Sequence, residues 1–112
     1  MKQAARIFQA LADPTRRQIL QELKNGELAA GDIASRFPIS APAISRHLKV
    51  LEGAGLIVRR IEGTKRPCRL AKPGIEAIDQ WLEMLRTALT RNYDRLDQVL
   101  AEMKSDTGGK LG

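Results

Sequence analysis

A chain of 112 residues, 43% hydrophobic and 29% charged, has the length and composition of one small folded domain with an appendage, which excludes a disordered chain. It holds no run of about 18 apolar residues, so no membrane-spanning helix is expected. A single cysteine excludes an internal disulfide and any all-cysteine metal site. The net charge of +6 is unevenly placed: residues 40–72 hold eight Lys/Arg against two Asp/Glu, residues 1–39 six against four, and residues 73–112 five against seven. A basic footprint in the middle third is what phosphate-backbone binding requires, although a merely solvated face would have the same composition. The start, MKQAARIFQALADPTRR, lacks the apolar segment and small-residue cleavage site of a signal peptide, so cytoplasmic residence is expected.

In chain order, QAARIFQAL (residues 3–11) predicts a short helix with Ile7, Phe8 and Leu11 inward. Asp13-Pro14 then opens a second helix, with Asp13 as N-cap and Pro14 at the first helical position, where a missing N–H costs nothing. Ile19, Leu20 and Leu23 form its apolar stripe, and Gly26 stops it. Arg16 and Arg17 are within reach of a phosphate, but solvation at the surface is the simpler reading. ELAAGDIASRF (residues 27–37) predicts a third helix with Leu28, Ile33, Ala34 and Phe37 as core candidates. Pro38 ends it, and Ser40 caps the next helix almost at once.

That fourth helix, about 41–54, has two chemically different faces. Ile44, Leu48 and Leu51 form a core stripe, while Pro42, Ser45, Arg46 and Lys49 point the other way. Two short helices joined so tightly form a helix-turn-helix whose second member reads DNA. LIVRRIEGTKRPCRLA (about 56–71) follows as two β-rich runs around a Gly63 turn, with Pro67 marking a strand start or an edge. Arg59, Arg60, Lys65, Arg66, Arg69 and Lys72 crowd this hairpin against one acid, Glu62. The fold class expected is therefore mainly α with a small β-hairpin: a winged helix-turn-helix over residues 1–72.

From Pro73 the pattern changes to a long helix, 73–104, with no Gly or Pro after its first turn. Ile75, Ile78, Leu82, Leu85, Leu89, Asn92, Leu96, Val99 and Met103 recur at 3–4 spacing, a heptad seam interrupted once by Asn92. Such a stripe needs a partner, and DNA-reading helices normally come in symmetric pairs, so a homodimer is expected. Ile7 and Phe8 of the first helix join Ile75, Ile78, Leu82, Leu85, Leu89, Asn92 and Leu96 as the expected interface. Folding back onto its own domain is the alternative. Trp81 and Tyr93 lie off the seam and are expected beside it. Residues 105–112 (SDTGGKLG) read as a disordered tail.

Together these segments resemble the ArsR/SmtB family of winged-helix repressors over roughly residues 5–85. FQALADPTRRQILQEL resembles the family's LADPTRRxIL opening, SRHLKVLEGAGLI its SxHLKxLxxAGLI core, and RRIEGTKRPCRL its wing. The resemblance implies a homodimeric DNA-binding repressor. The family's metal sensors carry cysteines at positions where this chain has Ala29 and Gly31, and its other metal sites use paired histidines, whereas this chain has one, His47. No metal, cofactor or catalytic group is expected, and the resemblance is to the metal-independent, SdpR-like branch.

The residues expected to touch double-stranded DNA are Ser40, Ala41, Pro42, Ser45, Arg46, His47 and Lys49 of the reading helix, with Arg60, Lys65 and Arg66 of the wing. Ser45 and Arg46 lead as base readers, because an arginine can grip the O6 and N7 of guanine. Ser40, Lys49, Lys65 and Arg66 fix position on phosphates. His47, on the flank, either donates to a phosphate or packs. Cys68, beside Arg66 and Arg69, offers a thiol-responsive alternative if those charges favour the thiolate. A second alternative is a protein-interaction winged helix whose basic face meets an acidic partner. The sequence names no small-molecule effector.

Overall fold

The computed structural model describes residues 2–111, with side chains over 2–104. Elements run α1 (Lys2–Leu11), α2 (Pro14–Glu22), a 3-10 turn (Leu23–Asn25), β1 (Leu28–Ala29), α3 (Ala30–Ala34), α4 (Ala41–Gly53), β2 (Ile57–Arg59), β3 (Pro67–Leu70) and α5 (Lys72–Leu111). They form two units, divided between Asp79 and Gln80. This is the mainly helical winged helix-turn-helix anticipated above, with a long C-terminal helix. α5 runs past the expected end at 104, so the backbone of residues 105–111, expected as a disordered tail, is helical.

Local chemistry sets the helix starts. Asp13 is extended, and its carboxylate accepts the backbone N–H of Arg16 at 3.0 Å, with Pro14 opening the first turn. Ser40 does the same for α4, its hydroxyl accepting from Ala43 N at 3.3 Å. The reading helix ends at Gly53, and Gly55 follows with φ +76°, a left-handed conformation suited to glycine. Its carbonyl accepts the Gly74 N–H at 2.7 Å, and a Cβ on Gly74 would lie 2.3 Å from that same oxygen. Backbone thus meets backbone where the first turn of α5 crosses the end of the reading helix.

The first unit closes a core around Ile7, Ile19, Leu23, Ile33, Ile44, Leu48, Leu51, Leu56, Ile57 and Cys68, each at most 2% exposed. Burial of each large aliphatic side chain is worth about 1.5–3 kcal/mol. Phe8 departs from its expected inward position and is exposed, while Ala10 takes the buried place on α1. Ile7 departs in the other sense: it belongs to the core, which leaves it almost no surface for the dimer contact expected of it. Ile78, also assigned to the seam, packs partly against this core.

The third helix is shorter than its sequence suggests. Leu28 and Ala29 pair antiparallel with Cys68 and Pro67, so the sheet has three strands in the order β1-β3-β2, not the two of a hairpin. Pairing with the open side of β3 satisfies backbone groups that a helix there would have bonded internally. Leu28, Ala34 and Phe37 are consequently only partly buried, and Ile33 alone of the four candidates is fully enclosed. Pro67 starts the central strand, and its carbonyl accepts from Arg60 N at 3.1 Å.

The second unit, from Gln80 onward, is one continuous helix. Its seam residues Leu82, Leu85, Leu89 and Leu96 are 39–53% exposed. Asn92 lies among them, exposed as well.

Candidate nucleic-acid interface

The reading helix separates its faces as its sequence requires. Ile44, Leu48 and Leu51 are buried, and Ala41, Pro42, Ser45, Arg46 and Lys49 are exposed. Among the described residues, no hydrogen bond or ion pair engages the side chains of Arg46 or Lys49. Ser40 spends a lone pair on its cap, which leaves its O–H able to donate outward. Between α3, α4 and the base of the wing runs a groove of about 550 Å³, with Gly31, Ala34, Ser45, Leu48 and Arg66 among its walls.

The wing's cations are not equivalent. At its tip Gly63 has φ +61°, and Glu62 and Lys65 exchange backbone hydrogen bonds across the turn. Lys65 is exposed, and among the described residues Arg66 is held by two carbonyls, those of Gly63 at 3.2 Å and Lys65 at 2.9 Å. Arg60, expected to bind DNA, is instead clasped by both carboxylate oxygens of Glu27 and by Glu62 at 2.8 Å. Two acids neutralise it, so it contributes little positive potential outward. The Glu27 carboxyl is held below its ordinary range, first by that hydrogen bond to Arg60. Arg59 pairs with Glu52 at 2.9 Å, joining the wing to the last turn of α4 and lowering the Glu52 pKa through the same bond. Pairs this exposed contribute little to stability and serve mainly to orient.

Cys68 departs from the thiol-responsive expectation. It is fully buried, its Sγ lies 3.5 Å from the Arg66 carbonyl, and burial pushes the thiol up from its usual range, with Arg59 opposing. Cys68 sits in the core while its neighbour in β3, Arg69, is exposed, because successive side chains of a strand point to opposite faces.

The sequence did not disclose what α2 does for the reading helix. Arg16 donates from Nε to the Ala10 carbonyl at 2.7 Å and from Nη2 to that of Gln9 at 2.9 Å, capping the end of α1. Its Nη1 lies 3.3 Å from Nδ1 of His47, and Asp13 Oδ2 lies 3.8 Å from the same nitrogen. Arg17 donates to the Leu11 carbonyl at 2.6 Å. Arg16 is therefore tied into the domain, whereas Arg17 stays at the surface as expected while bonding one carbonyl. Their spacing of six residues from the last carbonyls of the preceding helix was the available signal, since basic side chains favour helix C-termini.

Comparison with known proteins agrees with this architecture. A family model described as a helix-turn-helix domain matches residues 11–60. The HTH-type transcriptional regulator Rv2034 of Mycobacterium tuberculosis is 43% identical over 91 residues, covering 81% of this chain and 85% of that protein. The transcriptional repressor SdpR of Bacillus subtilis is 55% identical over 51 residues, 46% of this chain and 57% of its own length. A crystal structure of an ArsR family transcriptional regulator superposes with a TM-score of 0.75 at 34% identity, covering 79% of this chain and 97% of that one. The homodimeric winged helix-turn-helix DNA-binding domain of a possible ArsR-family regulator from Mycobacterium bovis does so at 0.63 and 31% identity, over 77% and 80%. Relatives and neighbours alike are named as transcription regulators, not enzymes. With its buried-and-basic reading helix, its wing and these similarities spanning most of its length, the chain belongs to the ArsR family of winged helix-turn-helix transcriptional regulators.

Proposed function

We propose that this regulator is a homodimeric repressor that occludes a promoter by binding an imperfect inverted repeat. The observation that carries the reading is the exposed face of α4, where Ser45, Arg46 and Lys49 stand beside a core stripe that fixes their direction. Ser45 and Arg46 read base edges, with Arg46 on a guanine. Ser40, Lys49, Lys65 and Arg66 hold phosphates, and Ala41 and Pro42 allow close approach at the helix start. Arg60 supports the wing through its acids and is not among the principal contacts. Repression is suggested by the named role of SdpR, and dimerisation by the homodimeric Mycobacterium bovis domain together with the exposed seam of this chain.

The seam would pair Ile75, Leu82, Leu85, Leu89 and Leu96 with a second copy, with Asn92 fixing register and Phe8 at the margin. Paired reading helices would then enter successive major grooves roughly 34–36 Å apart. Ala29 and Gly31, at the positions of the family's cysteine ligands, support a metal-independent branch. Action in the cytoplasm and on its own promoter would follow from this role.

The test is selection of bound duplexes from a random pool, followed by titration of the selected sequence. An inverted repeat is expected, and Arg46→Ala should cost about 1–3 kcal/mol and relax base choice at one position per half-site. Binding indifferent to sequence would instead favour an acidic protein partner for the basic face.

A further inference from the structure

His47 is the only histidine of the chain, and its neighbours decide which ring nitrogen carries hydrogen. Arginine has donors and no acceptor. Arg16 Nη1 lies 3.3 Å from Nδ1 of His47, and that contact is a hydrogen bond when Nδ1 is the acceptor, which places the ring hydrogen on Nε2. The Asp13 carboxylate would favour a hydrogen on Nδ1, but at 3.8 Å it is beyond hydrogen-bond reach, and it accepts the Arg16 backbone N–H instead. Arg16 is itself fixed by the two α1 carbonyls, so its third donor arrives at His47 from a held position.

The consequence is a directed donor. None of the described residues accepts from Nε2, and no side-chain nitrogen of a partly buried residue is both enclosed and unpartnered. Nε2–H therefore opens to solvent, on the flank of α4 between its buried and its groove-facing residues. A helix with its side chains is about 10–12 Å across, and the major groove about 12 Å wide. Side chains on the flank of an inserted helix consequently meet the groove walls, which are sugar and phosphate.

We propose that Arg16 is a positioning residue for DNA binding: it holds His47 as the neutral Nε2–H tautomer, so that the flank of the reading helix presents one N–H to a backbone phosphate. This inference rests on the DNA-reading role of α4. It gives the start of α2 a part in recognition without contact between Arg16 and DNA.

The experiment combines ring spectroscopy with binding, using the full chain and the duplex that wild type selects from a random pool. A long-range nitrogen–proton correlation spectrum of this one imidazole should show a bare Nδ1 and a protonated Nε2 in the free protein. His47→Gln, which carries an amide donor at the distance of Nε2, should bind nearly as wild type. His47→Asn, whose amide reaches only as far as Nδ1, should bind on the order of tenfold more weakly. Arg16→Met should mix the tautomers, and combining it with H47N should cost no more than H47N alone, because both act on one contact. Hydrogen on Nδ1 in wild type, equal binding by H47N and H47Q, or additive losses would each overturn the assignment. If these occur while Arg46→Ala still relaxes base choice, the DNA reader stands and only the role of Arg16 falls. If wild type selects no sequence, both fall.

Discussion

Leucines at helical spacing meet opposite fates in the two units of this chain. Leu48 and Leu51 in α4 are 0–1% exposed, whereas Leu89 and Leu96 in α5 are just over half exposed. The residue type and its period are the same; what differs is whether the chain supplies something to pack against. Up to Asp79, four other helices and a small sheet enclose each apolar stripe. From Gln80 on there is one helix, and an isolated helix gains little stability from propensity alone. The first unit is thus self-sufficient in its core, and the second, taken by itself, leaves its apolar face exposed.

The largest expected effect sharpens the first half of that contrast. Leu48→Ala, at the centre of the core, should destabilise the first unit by about 2–5 kcal/mol, measured by denaturant unfolding. Leu89→Asp tests the second half. It should leave the core signal intact while the sedimenting species falls to the mass of one chain, and affinity for the selected duplex should drop about a hundredfold through loss of bivalency. A dimer that survives this charge in the seam would break the contrast.

Smaller effects probe the wing and the acids. Lys65→Ala should weaken all duplexes alike by less than about 1 kcal/mol and reduce the salt slope by about one. Acid should act on the first unit through Asp13, Glu27 and Glu52, whose carboxyls all lie below their ordinary values of 3.8 to 4.5. A carboxyl depressed in the folded state contributes stability above its unfolded pKa and loses it as pH falls through the folded one. Stability should therefore be level at neutral pH and decline below about pH 4.5, with Glu52→Gln making the decline shallower, as followed by thermal melts across that range.

Most of the helical frame was legible because its signals are local. Asp13-Pro14 and Ser40 name two helix starts, Gly53 the end of the second, and the 3–4 spacing of Ile44, Leu48 and Leu51 its buried side; the stop expected at Gly26 comes late, since α2 ends at Glu22 and a 3-10 turn covers Leu23–Asn25. The strand at Leu28–Ala29 was not, because its partner Pro67–Cys68 lies some forty residues away and ELAA by itself favours a helix. The candidate site was legible in the same proportion. Charge and periodicity identified the exposed cations of α4, but nothing in GELAAGD announces that Glu27 neutralises Arg60. Nor does DPTRR indicate that Arg16 spans α1 and His47, thirty-one residues on. Long-range polar pairs depend on the fold being assembled first.

The contact between Gly55 and Gly74 constrains how such a protein diversifies. Its atoms are main chain on both sides, so no change of side chain elsewhere relieves a Cβ placed 2.3 Å from the Gly55 oxygen. Gly31 and Gly53, by contrast, face open space and accept larger residues without a clash. In a library varied at every position and sorted for folded protein, position 74 should return glycine whatever operator is offered, while Ser45 and Arg46 drift freely. Descendants of this chain can therefore change the sequence they read without altering the joint on which the reading helix ends.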